Sequence, residues 1–501
     1  MTATTETAKV VDSHEVEAVS KARRSIVLVI LGIFLTIGTT IFFYTTTISR
    51  AELPIDQVHQ FGEELKLTVE FVIPVYLNVP EPLKEKFLNV ETPINQELSR
   101  RYPNLHQFWS IELRHGTSNP IIDYVVNFEI TDEDESTVIS STTKEINLKV
   151  TSKTIQEKSI VDLMIHALLD ELFLEELESF SKIVDNQLQD SNIILPYSSN
   201  YNVVLSLFTE SGNNIEWEIE DSMQSFDSIF KQLKHFSNFS ISSQIQYYSN
   251  LADDLFHEQD GKSIIKEADL STFINFGDWN LFTHDINPTI NLIIYFPKNN
   301  YNNIPSVIEN SQTNSFLVPQ WGGVYIMNKN AAKQTDIILK KSELLPILDI
   351  FASQLFQLIG MPHKPKSVLI RIDHLSRTSL FKNLRQALDN LNSLIKLTES
   401  LNEISIPENT KNHVESSLKY INSTIISIKD QDFFKAMELS AHALQDSNQA
   451  FFEKEMVQQA YFPSEHKLAV FLPLLGPVCT VCFLGLIKYL RERKQIKQKS
   501  D

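Results

Sequence analysis

The only thiols in the chain are Cys479 and Cys482, spaced as a Cys-x-x-Cys pair. That spacing suits dithiol redox chemistry, but both residues fall in Leu468–Ile487, a run without a single charge. A thiolate there would be desolvated and its pKa raised, so neither is suited to nucleophilic attack or disulfide exchange. They read instead as small residues packing inside a membrane. Asp132-Glu133-Asp134 offers the Asp-x-Asp pattern by which many glycosyltransferases hold a divalent ion. It follows an expected strand that ends at Ile130, yet the same residues also read as an acidic loop in a chain with 63 acidic residues. The 12 glycines form neither a GxGxxG nor a GxxxxGK phosphate cradle, and GxSxG and HExxH are absent. The histidines show no paired spacing. No catalytic, cofactor or metal site is therefore expected.

The elements around these residues are more informative. Of the 501 residues, 42% are hydrophobic. Ile26–Ile48 and Leu468–Ile487 are uncharged runs of 23 and 20 residues. At about 1.5 Å rise per residue, each is long enough for a bilayer core of about 30 Å. Lys21, Arg23 and Arg24 precede the first run; Lys488, Arg491, Arg493, Lys494, Lys497 and Lys499 follow the second. Basic flanks stay in the cytosol, so both tails belong there and the bulk lies across the membrane. The expected organisation is a cytosolic tail (1–25), a transmembrane helix (26–48), a lumenal α/β region (49–374), a lumenal helical region (375–467), a second transmembrane helix (468–487) and a basic cytosolic tail (488–501). The fold class is thus a large, mixed α/β lumenal domain with a C-terminal helical unit, flanked by two transmembrane helices.

Charge and modification sites agree with this layout. The net charge is −19, although residues 488–501 hold six basic and two acidic side chains, so acidity is concentrated elsewhere. An acidic mass excludes a nucleic-acid partner, which requires a basic face. The lumenal mass has no cysteine, so its core must hold it without disulfides. Asn238-Phe239-Ser240 and Asn422-Ser423-Thr424 are N-glycosylation sequons, both on the lumenal side. Lys497–Asp501 resembles a dilysine retrieval signal for the endoplasmic reticulum. Lys21 and Arg24 sit where the first span meets cytosolic phosphates; they are read as topology signals or as ligands of an anionic lipid headgroup.

Within the lumenal mass, Leu67–Val79, Ile121–Ile130, Ile146–Val150, Tyr201–Phe208 and Ile290–Phe296 read as strands, with Pro74 demoting the first to an edge or a bulge. Thr154–Asp190 reads as helical. Phe226, Ile229, Phe230, Leu233 and Phe236 form one stripe of an amphipathic helix. Asn299–Asn310 reads as a loop, Trp321-Gly322-Gly323 as a turn entering a strand, and Leu344–Ile359 as a helix stopped by Gly360 and Pro362. From Leu380 the pattern is helical. No internal repeat is visible.

Several of these segments together resemble the PIG-S family. They are Ser49-Arg50-Ala51-Glu52-Leu53-Pro54, Leu195-Pro196-Tyr197 leading into Tyr201–Leu207, Asn238-Phe239-Ser240 with Ser243-Gln244-Ile245 and Tyr247-Tyr248, Asn291–Pro297, Trp321-Gly322-Gly323, Ala450-Phe451-Phe452, and Tyr461-Phe462-Pro463. They occur in family order from one membrane edge to the other. The resemblance implies an accessory subunit of the GPI transamidase complex in the endoplasmic reticulum membrane. That enzyme replaces the C-terminal signal of a proprotein with a glycolipid anchor. It implies as partners the other transamidase subunits, among them a caspase-like Cys protease subunit that carries catalysis, together with membrane lipids. The competing reading is an independent, membrane-anchored lumenal glycosyltransferase using Asp132 and Asp134.

Overall fold

The computed structural model describes residues 13–38, 50–87, 89–116, 118–132, 135–151, 160–185, 194–250, 257–259, 261–273, 287–331, 336–401 and 404–456, single residues at 40, 44 and 255, and, towards the C-terminus, 473, 476–477, 479–481, 483–491 and 494. Among the described residues no helix is long and apolar enough to cross a membrane. Much of the two apolar runs, 26–48 and 468–487, lies outside those residues. The first run is helical as far as described, in α1 (Ser13–Ile33) and a π-helical turn, Phe34–Gly38.

The chain divides into two compact units. One comprises Met1–Ile55, Asn390–Glu415 and Asn448–Asp501; the other comprises Asp56–Asp389 and Ser416–Ser447. The second unit opens with α2 (Ile55–Thr68) and holds two five-stranded sheets. The first sheet contains β1 (Phe71–Asn78), β2 (Trp109–His115), β3 (Tyr124–Thr131), β4 (Ser136–Ile139) and β5 (Glu145–Thr151), with α3 (Glu91–Arg101) between β1 and β2. Its order is β2-β1-β3-β5-β4, parallel except for β4. β1 is not an edge strand, contrary to what Pro74 implied. The missing N–H is tolerated because pairing with β3 begins only at Val75, leaving Pro74 with one laddered side.

After β5 come α4 (Ile160–Ile165), a π-helical stretch at His166–Leu172, and α5 (Leu174–Val184). The ends of the expected helix, 154–159 and 186–190, lie outside the described residues. The second sheet contains β6 (Asn200–Thr209), β8 (Asn238–Gln246), β11 (Thr289–Phe296), β13 (Ser315–Val318) and β14 (Gly322–Ile326). Its order is β13-β14-β11-β6-β8, again parallel except for one edge strand, β13. Numbering each sheet's strands one to five in chain order gives the same arrangement twice, 2-1-3-5-4, with the fourth strand reversed. The sequence shows no such repeat, and burial explains why. β11 is covered on both faces and is almost wholly apolar, whereas β1 alternates between buried and half-buried positions.

Smaller elements complete the unit. They are β7 (Asn214–Trp217), α6 (Ile219–Leu233), β9 (His257–Gln259), β10 (Lys262–Ile265), β12 (Ser306–Ile308) and β15 (Asp336–Leu339), followed by α7 (Lys341–Leu358). The expected Asn-rich loop therefore holds a strand, β12, which pairs with β10. Three long helices follow: α8 (Val368–Ser400), α9 (Glu408–Lys429) and α10 (Phe433–Phe451). α8 begins well before Leu380. Phe71 of β1 lies against Phe180 of α5 at 5.2 Å between ring centroids, and against Phe381 of α8 and Phe433 of α10 at 6.0 Å each. Such aromatic contacts contribute beyond the burial of their area.

Trp321-Gly322-Gly323 has a packing role. A Cβ on Gly322 would overlap the backbone carbonyl of Asn291, and one on Gly323 would overlap the Gln354 amide on α7. The two glycines let β14 lie close to β11 on one side and to α7 on the other. Gly323→Ala is expected to lower the unfolding free energy by about 1–3 kcal/mol through overpacking. Adding Gln354→Ala should recover much of that loss, because the overlap is with a side chain. Gly322→Ala, which meets backbone, should not be rescued in this way. Denaturant titration of the purified variants measures all three; an unchanged Gly323→Ala midpoint would refute the packing role.

Candidate functional site

Among the described residues of the second unit, a concentrated set of ionisable side chains is buried. Glu176 comes from α5, Asp373, His374 and Arg377 from α8, Tyr124 from β3, Trp109 from β2, and Lys144 from the residue before β5. Arg377 grips Glu176 bidentately, Nε to Oε1 at 2.7 Å and Nη2 to Oε2 at 2.6 Å. Trp109 Nε1 donates to Glu176 Oε1 at 3.1 Å, and His374 Nε2 lies 3.1 Å from Oε2. Tyr124 joins the two halves of the cluster. Its hydroxyl accepts from Arg377 Nη2 and donates to Asp373 Oδ2, both at 2.9 Å. Lys144 Nζ closes the chain, 2.6 Å from Asp373 Oδ2 and donating to the Ile122 carbonyl at 2.9 Å.

Local structure delivers each group. Asp373 and Arg377 are four apart on α8 and so share a face. That face also carries Ile370, Leu380, Phe381 and Leu384, all buried. Two charges in the middle of an apolar stripe must find partners, because an unpaired buried charge is very costly. Burial opposes ionisation of Glu176, but the Arg377 guanidinium, with the hydrogen bonds from Arg377 and Trp109, outweighs burial and holds its pKa below the usual value. Burial pushes His374 down to about 4, against the pull of Glu176, so the imidazole is neutral at pH 7. Burial also keeps the Tyr124 phenol protonated, its pKa well above the ordinary value. Arg377 and Lys144 balance Glu176 and Asp373. The arrangement is a closed ionic clamp containing no thiol and no serine.

A second polar cluster lies where β6, β8 and β11 end. The Tyr295 hydroxyl donates to Glu210 Oε1 at 2.7 Å and lies 3.0 Å from the Ser249 carbonyl oxygen, while the Lys298 backbone N–H donates to Glu210 Oε2 at 2.6 Å. Near the opposite end of β6, Tyr201 accepts the Ser198 N–H at 2.9 Å and donates to the Pro196 carbonyl at 2.8 Å. This locks the corner at Leu195-Pro196-Tyr197. Phe239 stacks on Tyr201 at 5.6 Å.

None of the residues singled out from sequence belongs to the clamp. Asn238 is exposed at the start of the edge strand β8, and Asn422 is exposed on α9. Thr424 of the latter sequon is buried, its hydroxyl donating to the Tyr420 carbonyl at 2.7 Å. Asp132 is exposed directly after β3; Asp134 lies outside the described residues. Cys479 is exposed, and Cys482 lies outside them. Lys21 is exposed on α1, and Arg24 lies three residues further along that helix. The clamp residues went unnoticed because they span positions 109 to 377. The available signal was the Asp373/Arg377 pair set into an apolar helical stripe.

The clamp makes stability depend on pH in a defined direction. His374 is held near 4 when folded and titrates near 6.5 when unfolded. As pH falls from about 6.5 towards 4, the unfolded chain gains a proton that the folded chain refuses. Stability is full above that window and falls within it, by up to about 3 kcal/mol. Glu176, depressed from its model-peptide value of 4.5, adds a further loss below that pH. Thermal unfolding of the purified chain at pH 7 and pH 4.5 should show the decline, and His374→Gln should flatten it; an equal decline in the variant would refute the assignment. Arg377→Met leaves Glu176 buried without its cation and should cost roughly 3–5 kcal/mol.

Comparison with known proteins assigns this architecture to a family. The profile described as "Phosphatidylinositol-glycan biosynthesis class S protein" matches residues 29–496. The GPI transamidase component GPI17 of Saccharomyces cerevisiae is 28% identical, over 94% of this chain and 92% of its own length. The GPI transamidase component PIG-S homolog of Schizosaccharomyces pombe is 25% identical over 96% of this chain and 89% of its own. The human GPI-anchor transamidase component PIGS is 24% identical over 61% of this chain and 60% of its own. With a match running from the first apolar run past the second, the chain belongs to the phosphatidylinositol-glycan biosynthesis class S family.

Proposed function

We propose that this chain is an accessory, scaffolding subunit of a GPI transamidase, the enzyme that attaches glycolipid anchors to proproteins in the endoplasmic reticulum. The observation that carries this reading is the end-to-end match to a yeast relative named as a GPI transamidase component, covering 94% of this chain and 92% of the relative. Two features support a structural role. The charges of the clamp are spent on one another, and the exposed Cys479 sits in an apolar run unsuited to a thiolate. The catalytic cysteine then lies in another subunit. The apolar runs act as membrane anchors, both tails face the cytosol, and the two sheets lie in the lumen, in keeping with the basic flanks and the exposed sequon asparagines.

Purification of the tagged chain in mild detergent tests the assignment. A Cys protease subunit should co-purify, and GPI attachment to a reporter should fail when this chain is depleted. Recovery of the chain alone, with a metal-dependent activity lost on Asp132→Ala, would overturn it. Cys479→Ala combined with Cys482→Ala should leave GPI attachment intact. Glycosidase digestion should lower the apparent mass by two glycans, one missing in Asn238→Gln and the other in Asn422→Gln; no shift would refute modification of both sequons.

A further inference from the structure

Each five-stranded sheet has two edges, and an edge strand offers unpaired backbone groups to any other strand. Three of these edges are short or already satisfied. β4 and β13 are four residues long. β2 is longer, but α3 covers its backbone. Asn95 exchanges two hydrogen bonds with Ile111, Nδ2 donating to the carbonyl at 2.9 Å and Oδ1 accepting from the N–H at 3.1 Å, and Glu91 Oε2 accepts the Leu113 N–H at 2.9 Å. β8 differs. It runs for nine residues without a charge or a proline. The Asn238 N–H donates to the Ser199 carbonyl at 3.0 Å, so every second residue from Asn238 onward turns its backbone to β6. The N–H and C=O groups of Phe239, Ile241, Ser243 and Ile245 therefore point outward, and among the described residues none of them finds a hydrogen-bond partner. An uncharged, proline-free segment of this kind is the composition that pairs with its own copy.

β8 also begins on a sequon. Asn238 and Ser240 are exposed, and their side chains share a face with those of β6. Asn238 Nδ2 donates to Asn200 Oδ1 at 3.4 Å, Ser240 Oγ to Asn202 Oδ1, and Gln244 Nε2 to Ser206 Oγ at 3.0 Å. Neither β6 nor β8 contains a charged side chain. We infer that the glycan carried by Asn238 guards this edge: it lies along β8 and keeps a second strand, above all β8 of another copy, from pairing there. On modification the Asn238 amide nitrogen loses one proton and bonds the anomeric carbon of the first sugar, while the lipid diphosphate of the oligosaccharide donor leaves. One N–H remains and still donates to Asn200, so the first sugar is held over the β6–β8 face, where amides and hydroxyls offer it hydrogen bonds. A glycan is bulky and solubilising. Here it takes the place of the lysine, proline or bulge by which edges are ordinarily blunted.

The inference rests on the lumenal reading of the sequon, and the test separates the two. Two differently tagged copies of the full-length chain are co-expressed in a glycosylating host and extracted in mild detergent. Capture of one copy and detection of the other measures self-pairing, and gel mobility measures the glycan. Asn238→Gln should raise self-pairing severalfold over wild type, as should Ser240→Ala, which removes the sequon but keeps the asparagine. Asn422→Gln should not. Adding Ser243→Lys to Asn238→Gln places a charge on the exposed edge and should return self-pairing to the wild-type level. Enzymatic removal of the glycan from folded Asn422→Gln chains, followed by mixing of the two tagged copies, should give the same rise with no folding step involved. Unchanged self-pairing in Asn238→Gln and in the digested chains, or a rise that Ser243→Lys leaves in place, overturns the guarding role. Equal migration of wild type and Asn238→Gln would show that Asn238 carries no glycan, and overturns the sequon reading instead.

Discussion

The fold of the second unit depends on one interaction, the buried grip of Arg377 on Glu176. Removing two full charges from water costs nearly as much as their attraction returns, so such a pair adds little net stability. Its effect lies in what it forbids. If α8 docked one turn out of place, Glu176 would lose both guanidinium hydrogen bonds, Asp373 would lose Lys144 and Tyr124, and each charge would be stranded among apolar side chains. Apolar contacts such as Phe71 on Phe381 tolerate sliding far better. The clamp therefore fixes the register that the aromatic core leaves loose, and with it the place of α8 against β3 and α5.

How much of this could be read from sequence depended on whether the signal was local. β6 and β11 are nearly continuous apolar runs, and the Phe226–Phe236 stripe and α7 have the helical period, so all four were legible. β8 was not found from pattern, because its Ser-rich residues alternate only weakly; it is an edge strand held mainly by pairing with β6. β2 was missed for a related reason: Trp109 and Ile111 are buried, but Glu112 and Arg114 break the apolar reading. Those two charges lie 2.6 Å apart and both bond to Gln431, so a sheet edge rich in charge is satisfied only by tertiary structure. The clamp is the extreme case, since none of its pairings except that of Asp373 with Arg377 falls within a helical spacing.

The approach of Val27 to Gly485 shows how little sequence is needed to specify a contact. Both flanks of the apolar runs are basic. Charge does not say whether the two runs touch. A single glycine opposite a β-branched residue supplies that, since a Cβ on Gly485 would lie 2.9 Å from Val27 Cγ1. Arg50 does comparable work at the other end of the first run. It supplies a cation to the carbonyls that end α8, where the helix dipole favours positive charge.

The repeated strand order gives a separate argument about activity. In open α/β sheets, ligands bind beyond the carboxyl ends of the strands, where the order reverses about the first strand. In the second sheet that place lies beyond β6 and β11. The chain's own groups fill it: Tyr295 and the Lys298 N–H converge on Glu210, and the Ser249 carbonyl lies against the Tyr295 hydroxyl. An incoming substrate would have to displace four hydrogen-bonding groups that already satisfy one another, leaving a buried tyrosine and a carboxylate in need of new partners. Leaving such groups unpaired costs about 1–3 kcal/mol each. The crevice beyond β6 and β11 is thus held closed by the chain's own hydrogen bonds.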